Sequence, residues 1–300
     1  MEHPDQEAIR LCPKCGNGTF QDLLQAQDYT ATQQRFWIKT CTLCGLAATS
    51  PRPRPEQIAH YYRSATYISH TNNASGIANM LYQWARKGAI RNKHRLIARY
   101  HQGGSVLDIG CGTGEFLGYL KSRGYHTQGV EPSLEAREMA IRNHALPVVP
   151  GLESIAPHEQ YSVITLWHVL EHLYDPHTTL KQIHARAKSS SLLVIAVPDR
   201  ESWDAHHYGA EWAAYDVPRH LFHYRRADIH ALLQTHGFQV IATKRMLLDS
   251  IYVSMLTERN SGRSPALALI LGTLIGAWSN LASFCSSRPT SSTLYLARKS

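Results

Sequence analysis

Three hundred residues are enough for one large domain with a small one beside it. A hydrophobic share of 43% excludes a disordered chain, and a net charge of +8 leaves room for an anionic partner without saying which. The opening MEHPDQEAIR has no basic stretch followed by an apolar run, so no signal peptide is expected, and the six cysteines read as thiols or metal ligands rather than disulfides.

Two cysteine pairs come first in the chain. Cys12 and Cys15 stand in CPKCG, Cys41 and Cys44 in CTLCG. A C-x-x-C pair turns both thiolates onto one ion, and the glycine behind it relieves the tight turn, so the two pairs predict a closed tetrahedral Zn2+ site within residues 1–50. RFWIKT between them reads as a strand, which makes a zinc-ribbon hairpin the natural shape. Four sulfurs leave the ion no open position, so its role is structural; a redox dithiol is the alternative. Cys111 and Cys285 read as ordinary small apolar residues. Residues 51–79, rich in Pro and then in Ser, Thr and Asn, predict a linker and active-site lid with a short helix from Glu56 to Tyr62. Its Tyr61, Tyr62 and Tyr67 either line a substrate mouth or pack the ribbon onto the main domain. A helix follows in NMLYQWARKGAIRNKHRLIARY, whose cations from Arg86 to Arg99 form either a solvated face or a docking surface for an anion.

From residue 105 apolar runs alternate with helical segments, and strands are expected at 105–109, 126–131, 146–149, 161–167, 191–197, 238–247 and 292–298. This predicts an α/β fold over residues 80–300, a doubly wound, seven-stranded Rossmann-like sheet with ligands at the carboxyl ends of its strands. Its first turn reads VLDIGCGTGEFL, with a helix expected over Glu115 to Arg123. Gly110, Gly112 and Gly114 lie on a strand-to-helix turn, where a side chain would block positive φ and the close approach of a ligand. Glu115 stands where a dinucleotide fingerprint needs its third glycine, and Asp108 disfavours a pyrophosphate while suiting a ligand with a cationic or hydrogen-bond-donating end. The next strand ends in QGVEPS, which puts Glu131 where a carboxylate can accept hydrogen bonds from both hydroxyls of a ribose.

The motifs VLDIGCGTG, GVEPS and YSVITLWHVLEHLYDP together resemble the class I S-adenosylmethionine-dependent methyltransferases. The third is typical of a branch that includes quinone-precursor O-methyltransferases, while the four-cysteine start resembles zinc-containing members that methylate sugars. The resemblance implies S-adenosyl-L-methionine as cofactor, with Gly110, Gly112 and Gly114 beneath it, Asp108 near its amino-acid end and Glu131 on its ribose. It also implies Leu152 and Glu153 of PGLESI at the adenine, and Trp167 and His168 facing the methyl group and the acceptor. Methyl transfer from a sulfonium is an in-line displacement, so the protein has to align the nucleophile and, for a hydroxyl, remove its proton. His168 is the first candidate base and His220, in EWAAYDVPRHLFHY, the second. Arg219 either clamps a carboxylate or phosphate of the substrate through its planar fork, or joins His220 in a buried network with Glu171, His172 or Asp216. His206 and His207 have no carboxylate at ligand spacing, so no second metal is expected there. LWHV lacks the Asn/Asp-Pro-Pro-aromatic tetrad of adenine-methylating enzymes and the cysteine that attacks cytosine, so nucleic acid is not an expected partner.

The last feature is PALALILGTLIGAWSNLASFC, residues 265–285, long enough to read as a membrane span. STLYLARKS behind it reads as the last strand, returning beside FQVIATKRML, so both ends of the segment lie on one side and a single span is ruled out. A helical hairpin, an in-plane membrane anchor, a homodimer contact or a cover for the core remain. The expectation is therefore a cytoplasmic methyltransferase, held at the inner face of the membrane if that segment anchors it. It would methylate the oxygen of a small lipid-linked or quinone-like acceptor. The alternatives are C- or N-methylation of a sugar or envelope glycan, and a non-catalytic zinc-ribbon scaffold that binds the cofactor.

Overall fold

A computed structural model describes residues 5–62, 77–101 and 103–300. Much of the expected linker and lid at 51–79, Tyr67 included, lies outside the described residues.

The amino-terminal part folds around its two cysteine turns. β1 (Gln6–Glu7) pairs antiparallel with β5 (Arg52–Pro53), while β2 (Phe20–Gln27), β3 (Arg35–Cys41) and β4 (Ala47–Thr49) form an antiparallel meander. Along β3, Phe36 and Ile38 point inward and Arg35 and Trp37 outward, the period-two pattern of a half-buried strand. A fourth strand arrives from far along the chain: β11 (Phe222–His223) pairs with β4, with Phe222 opposite Ala48. Backbone hydrogen bonds thus join the ribbon to the main body.

The main sheet is built from β6 (Ser105–Ile109), β7 (His126–Val130), β8 (Val148–Val149), β9 (Tyr161–Trp167), β10 (Ala187–Pro198), β12 (Phe238–Arg245) and β13 (Ser292–Lys299). Their order is β12-β13-β10-β9-β6-β7-β8, and β13 runs antiparallel to both of its neighbours. The sequence placed a strand at each of these seven positions. β6, β9 and β10 are buried on both faces, which is why they read as nearly continuous apolar runs. On one face pack α1 (Ile77–Ala98), α2 (Glu115–Lys121) and α3 (Leu134–His144), through Ile97, Leu117, Leu120 and Ala140. On the other pack α4 (Pro176–Arg186) and α6 (Arg226–Thr235), through Leu180, Ile183, Ile229 and Leu233. Asp175 caps α4 by accepting the Thr178 N–H, with Pro176 at the first helical position, where its missing N–H costs nothing.

β6 lies between β7 and β9, so the connections leave it in opposite directions and open a crevice at the carboxyl ends of β6 and β9. Above that rim stand α5 (Trp203–Tyr208) and a helical hairpin of α7 (Leu247–Asn260) and α8 (Pro265–Cys285). Gly272 of α8 faces Met255 of α7 and Gly276 faces Ile251, so the two arms run antiparallel. Residues 265–285 are thus one continuous helix and not the hairpin expected of that segment alone, because its partner arm is the preceding helix. That arm was not legible, and the strand expected to reach 247 stops at Arg245 because Leu247 opens the helix.

Candidate active site

The glycine loop shows why each glycine is there. Gly110, Gly112 and Gly114 have φ of 71°, 55° and 84°, the left-handed region that side chains disfavour. A Cβ on Gly110 would meet Val169 at 2.5 Å and one on Gly114 would meet Leu146 at 2.7 Å, whereas one on Gly112 would point into open space. Packing therefore fixes the outer two glycines, and the middle one faces the crevice. The N–H of Gly112 donates to Oε2 of Glu131 at 2.9 Å and the N–H of Ser133 to Oε1 at 2.9 Å. The two bonds hold the carboxylate at the end of β7, each oxygen with a lone pair left for another donor.

Across the crevice floor, Asp108 of β6 lies opposite Thr165 of β9 and accepts its hydroxyl at 2.5 Å. Burial pushes the Asp108 pKa up to about 6, against the pull of Thr165 and of the Lys93 ammonium. A cationic ligand group nearby would return the carboxyl to its ionised form. Lys93 reaches in from α1, its Nζ 4.1 Å from the centre of the Trp167 ring, and Phe116 meets the same indole edge-on at 5.8 Å. Burial lowers the Lys93 pKa, opposed by Asp108 and Asp249. The indole N–H of Trp167 is buried and has no hydrogen-bond partner among the described residues, so an acceptor on a ligand seated here would satisfy it. Floor, orphaned donor and open glycine together fit the cofactor implied by the family resemblance.

Beyond Trp167, a cluster of imidazoles and carboxylates lines the rim. His168 adopts φ of 57° and is 37% exposed, with Nε2 at 3.1 Å from Asp249 of α7 and Nδ1 at 3.5 Å from Glu171. Burial alone would lower its pKa, but these two carboxylates carry it up to about 10, so His168 is an imidazolium at neutral pH. Nδ1 of His220 lies 2.8 Å from the Ala214 carbonyl, and Nε2 faces Asp216 at 3.9 Å and Glu171 at 4.0 Å. His172 stacks edge-on against His220 at 4.6 Å, and burial followed by the neighbouring imidazole lowers its pKa to about 4. Glu171 is 1% exposed, and beyond its ion pair with His168 neither of its oxygens has a hydrogen-bond partner among the described residues. Its ligand atom and those of His172 and His220 lie within 4.8 Å of one another, close enough for a divalent ion to bridge.

The other candidates divide. The Tyr62 hydroxyl is 2.9 Å from Nδ1 of His172 and so belongs to the rim, while Tyr61 packs edge-on against Phe36 of the ribbon. Arg219 is wholly engaged, with its fork on Asp216 at 2.6 Å and Asp28 at 3.1 Å and a further bond to the Tyr61 carbonyl. This is the buried network, centred on Asp216 and on an Asp28 that the sequence did not single out. Leu152 joins the core in the turn after β8, and Glu153 beside it is exposed. His206 bonds the Ser202 carbonyl and His207 stacks on Trp203, both apart from this cluster.

Sequence reasoning missed Lys93 and Asp249. Lys93 carried a signal: it shares a helical face with Ile90 and Ile97, and a lysine on an apolar stripe points into the protein. Asp249 carried none, because it reaches His168 only through the hairpin.

In the ribbon, the four cysteines converge. Sγ of Cys12 lies 3.5 Å from that of Cys44, Sγ of Cys15 lies 3.5 Å from that of Cys41, and all four fall within 4.8 Å. A tetrahedron of Zn–S bonds has edges of about 3.8 Å, so the set fits zinc. N–H groups of Cys44 and Leu43 and the Asn17 amide overcome burial at Cys41 and bring its pKa down to about 6, while burial pushes that of Cys12 up.

Comparison with known proteins gives the following. A methyltransferase-domain family matches residues 80–243. The ubiquinone biosynthesis O-methyltransferase of Rhodopseudomonas palustris strain HaA2 is 29% identical over 151 residues, 47% of this chain and 59% of that protein. The protein of the same name from Bradyrhizobium diazoefficiens is 32% identical over 123 residues, 38% of this chain and 48% of that one. The chain thus spans roughly half the length of these curated relatives. Among solved structures, magnesium protoporphyrin IX methyltransferase from Synechocystis PCC 6803 with bound SAH superposes with a TM-score of 0.54 at 13% identity, covering 82% of this chain and all of that one, a likeness of fold alone.

Proposed function

The chain belongs to the class I S-adenosylmethionine-dependent methyltransferases, and from that premise we propose that it methylates an oxygen of a small quinone-like acceptor. The observation that carries this reading is the rim cluster, where His168, paired with Asp249 and Glu171, and His220, with its Nε2 turned inward, flank one buried carboxylate. The names of the relatives from Rhodopseudomonas palustris and Bradyrhizobium diazoefficiens support the choice of oxygen. The cofactor, when bound, supplies an electrophilic methyl group; the protein has to hold the acceptor hydroxyl in line and remove its proton. His168, already protonated, cannot take that proton, so the base role passes to His220. The His168 imidazolium attracts the oxyanion that forms, and Tyr62 borders the acceptor. When the cofactor is bound, Glu131 would take its ribose hydroxyls on the free lone pairs, and Lys93 and the Trp167 N–H would offer a cation and a donor to an acceptor on it.

Incubation with cofactor labelled in its methyl group and with catechol-type acceptors tests the reading: label is expected in a methyl ether. Label appearing in sugars or amines, with none in the phenols, would overturn it. Glu131→Ala is expected to weaken cofactor binding by about 1–3 kcal/mol, roughly fivefold to somewhat over a hundredfold in titration calorimetry, and unchanged affinity would remove the ribose role. His220→Ala is expected to lower kcat by about 10²–10⁴ with cofactor affinity kept. A pH signature belongs to His168. Its pKa is raised, so its contribution to stability is full below the unfolded value of 6.5 and is lost as pH climbs toward about 10. The stability gap between wild type and His168→Gln should therefore be widest in mild acid and shrink through the alkaline range in denaturant titrations. A gap independent of pH would mean that His168 titrates alike in the folded and unfolded chain, so that Asp249 and Glu171 do not hold its proton.

A further inference from the structure

The hairpin of α7 and α8 lies outside the region matched by the methyltransferase-domain family, which ends at residue 243, so its role has to be read from its own chemistry. Its place is set by the strands it joins. β12 ends and β13 begins at the carboxyl rim of the sheet, with Arg245 opposite Thr293, so the hairpin rises beside the crevice. Asp249, in the first turn of α7, is the residue that holds His168, and Leu247 and Leu248 next to it are exposed.

One side of α8 is clamped to the protein. A Cβ on Gly272 would meet Met255 at 2.3 Å and one on Gly276 would meet Ile251 at 2.5 Å, so the two helices touch backbone to backbone. Ser279 donates to the buried Asp204 at 2.7 Å, Asn280 to the Leu247 carbonyl at 2.9 Å, and Arg245 to the Ser283 carbonyl at 2.7 Å. At about 1.5 Å per residue, its 21 residues would be long enough to cross a bilayer, but these bonds keep the helix against the hairpin.

The other side carries Leu267, Ile270, Leu274, Trp278, Leu281 and Phe284 along one stripe, each between 44% and 63% exposed. Such a stripe is far larger than the scattered apolar residues of an ordinary surface. The exposed charges that flank it in sequence are arginines, while Glu258 beside them is buried and pairs with Arg263. From Arg259 to the end of the chain there is no Asp or Glu, and the cations include Arg259 and Arg263 before the helix and Arg288 after it, all three exposed. A second copy packed antiparallel on this face would set arginines against arginines. An anionic lipid surface meets the same arginines with opposite charge and accepts the apolar stripe into its acyl boundary, with Trp278 at a level indole favours.

We propose that the α7–α8 hairpin docks in plane on an anionic bilayer surface and turns the crevice rim toward it, so that the acceptor is taken from the lipid phase. The last clause rests on the quinone-like reading above; the docking itself does not. The test is co-sedimentation of the full chain with vesicles of phosphatidylcholine, with and without phosphatidylglycerol. Salt-sensitive binding to the vesicles containing phosphatidylglycerol is expected, and Leu274→Glu and Leu281→Glu should each weaken it about tenfold or more. Both variants should keep wild-type cofactor affinity and wild-type turnover of a water-soluble catechol. Failure of the wild type to bind anionic vesicles, or variants that sediment as the wild type does, would overturn the proposal. A dimer in solution that Leu274→Glu dissociates would overturn it in favour of a second copy. Vesicle binding that the variants abolish, in a protein that methylates no phenolic acceptor, would uphold the dock and remove the acceptor reading alone.

Discussion

Arg219→Ala is expected to cost about 3–5 kcal/mol of stability, enough to unfold a marginally stable chain at moderate temperature. The reason is the company the guanidinium keeps. It is 2% exposed and pairs with Asp28, which is fully buried, and with Asp216, while Nη1 also donates to the Tyr61 carbonyl. Asp28 is itself the hub of the turn between β2 and β3, accepting the N–H groups of Thr30, Ala31 and Thr32 and the Thr32 hydroxyl. Those bonds stay when the arginine goes, but the negative charge loses its partner in a dry site. Thermal unfolding should show a large drop in Tm, and adding Asp28→Asn to Arg219→Ala should restore part of it, because the orphaned charge is then gone. A loss near the 0–1 kcal/mol of an exposed pair would mean that water reaches Asp28. The pH dependence has a definite sign. Asp216 has its carboxyl held below the usual range by Arg219 and His220 against the effect of burial, so its contribution is present above the unfolded carboxylate value and is lost as pH falls through the folded one.

The contrast between Arg219 and Glu131 shows how far the sequence reaches. Glu131 was legible because its place follows from local rules: a short apolar strand, a glycine turn before it and an acidic residue where the strand ends. The same rules located every strand of the main sheet, and the C-x-x-C pairs located the thiol cluster. For Arg219 the sequence left two roles open, since a planar fork in a loop serves a substrate and a buried carboxylate equally well. Deciding between them required knowing that the ribbon turn with Asp28 folds back onto the loop. Asp249 and α7 were hidden for a related reason. LLDSIYVSMLTERN is apolar on more than one side, because one face meets α8 and another lies near the rim, so no amphipathic period stands out. β11 is two residues long, and its partner is in the ribbon, so no pattern in LFHY announces it.

We propose that the four thiols hold a zinc ion, whose removal is expected to act on turnover at a distance. The binding free energy of a four-cysteine site, about 10–16 kcal/mol near neutral pH, exceeds what so small a ribbon can gather from its own core, so chelation or Cys41→Ser should unfold it. The catalytic part would feel that loss through specific bonds. β11 loses its pairing with β4, Arg225 loses the Cys44 carbonyl at 2.7 Å, and Arg200 loses the Gly45 carbonyl at 2.7 Å. The Thr49 hydroxyl, which donates to the carbonyl of His220 at 2.7 Å, goes with them. His220 would then drift from Glu171, and a displacement of about 1 Å at a proton-accepting group lowers turnover roughly a hundredfold. Glu131, Asp108 and the glycine loop touch none of these bonds, so the cofactor should still bind. The expected pattern is one zinc per chain in elemental analysis, a ribbon that becomes protease-sensitive on chelation, a collapse of kcat and a nearly unchanged cofactor affinity. A chelated protein that keeps both a resistant ribbon and its turnover would show that the four thiols hold that fold without an ion. Loss of cofactor affinity together with turnover would instead show that the ribbon supports the whole carboxyl rim and not the acceptor side alone.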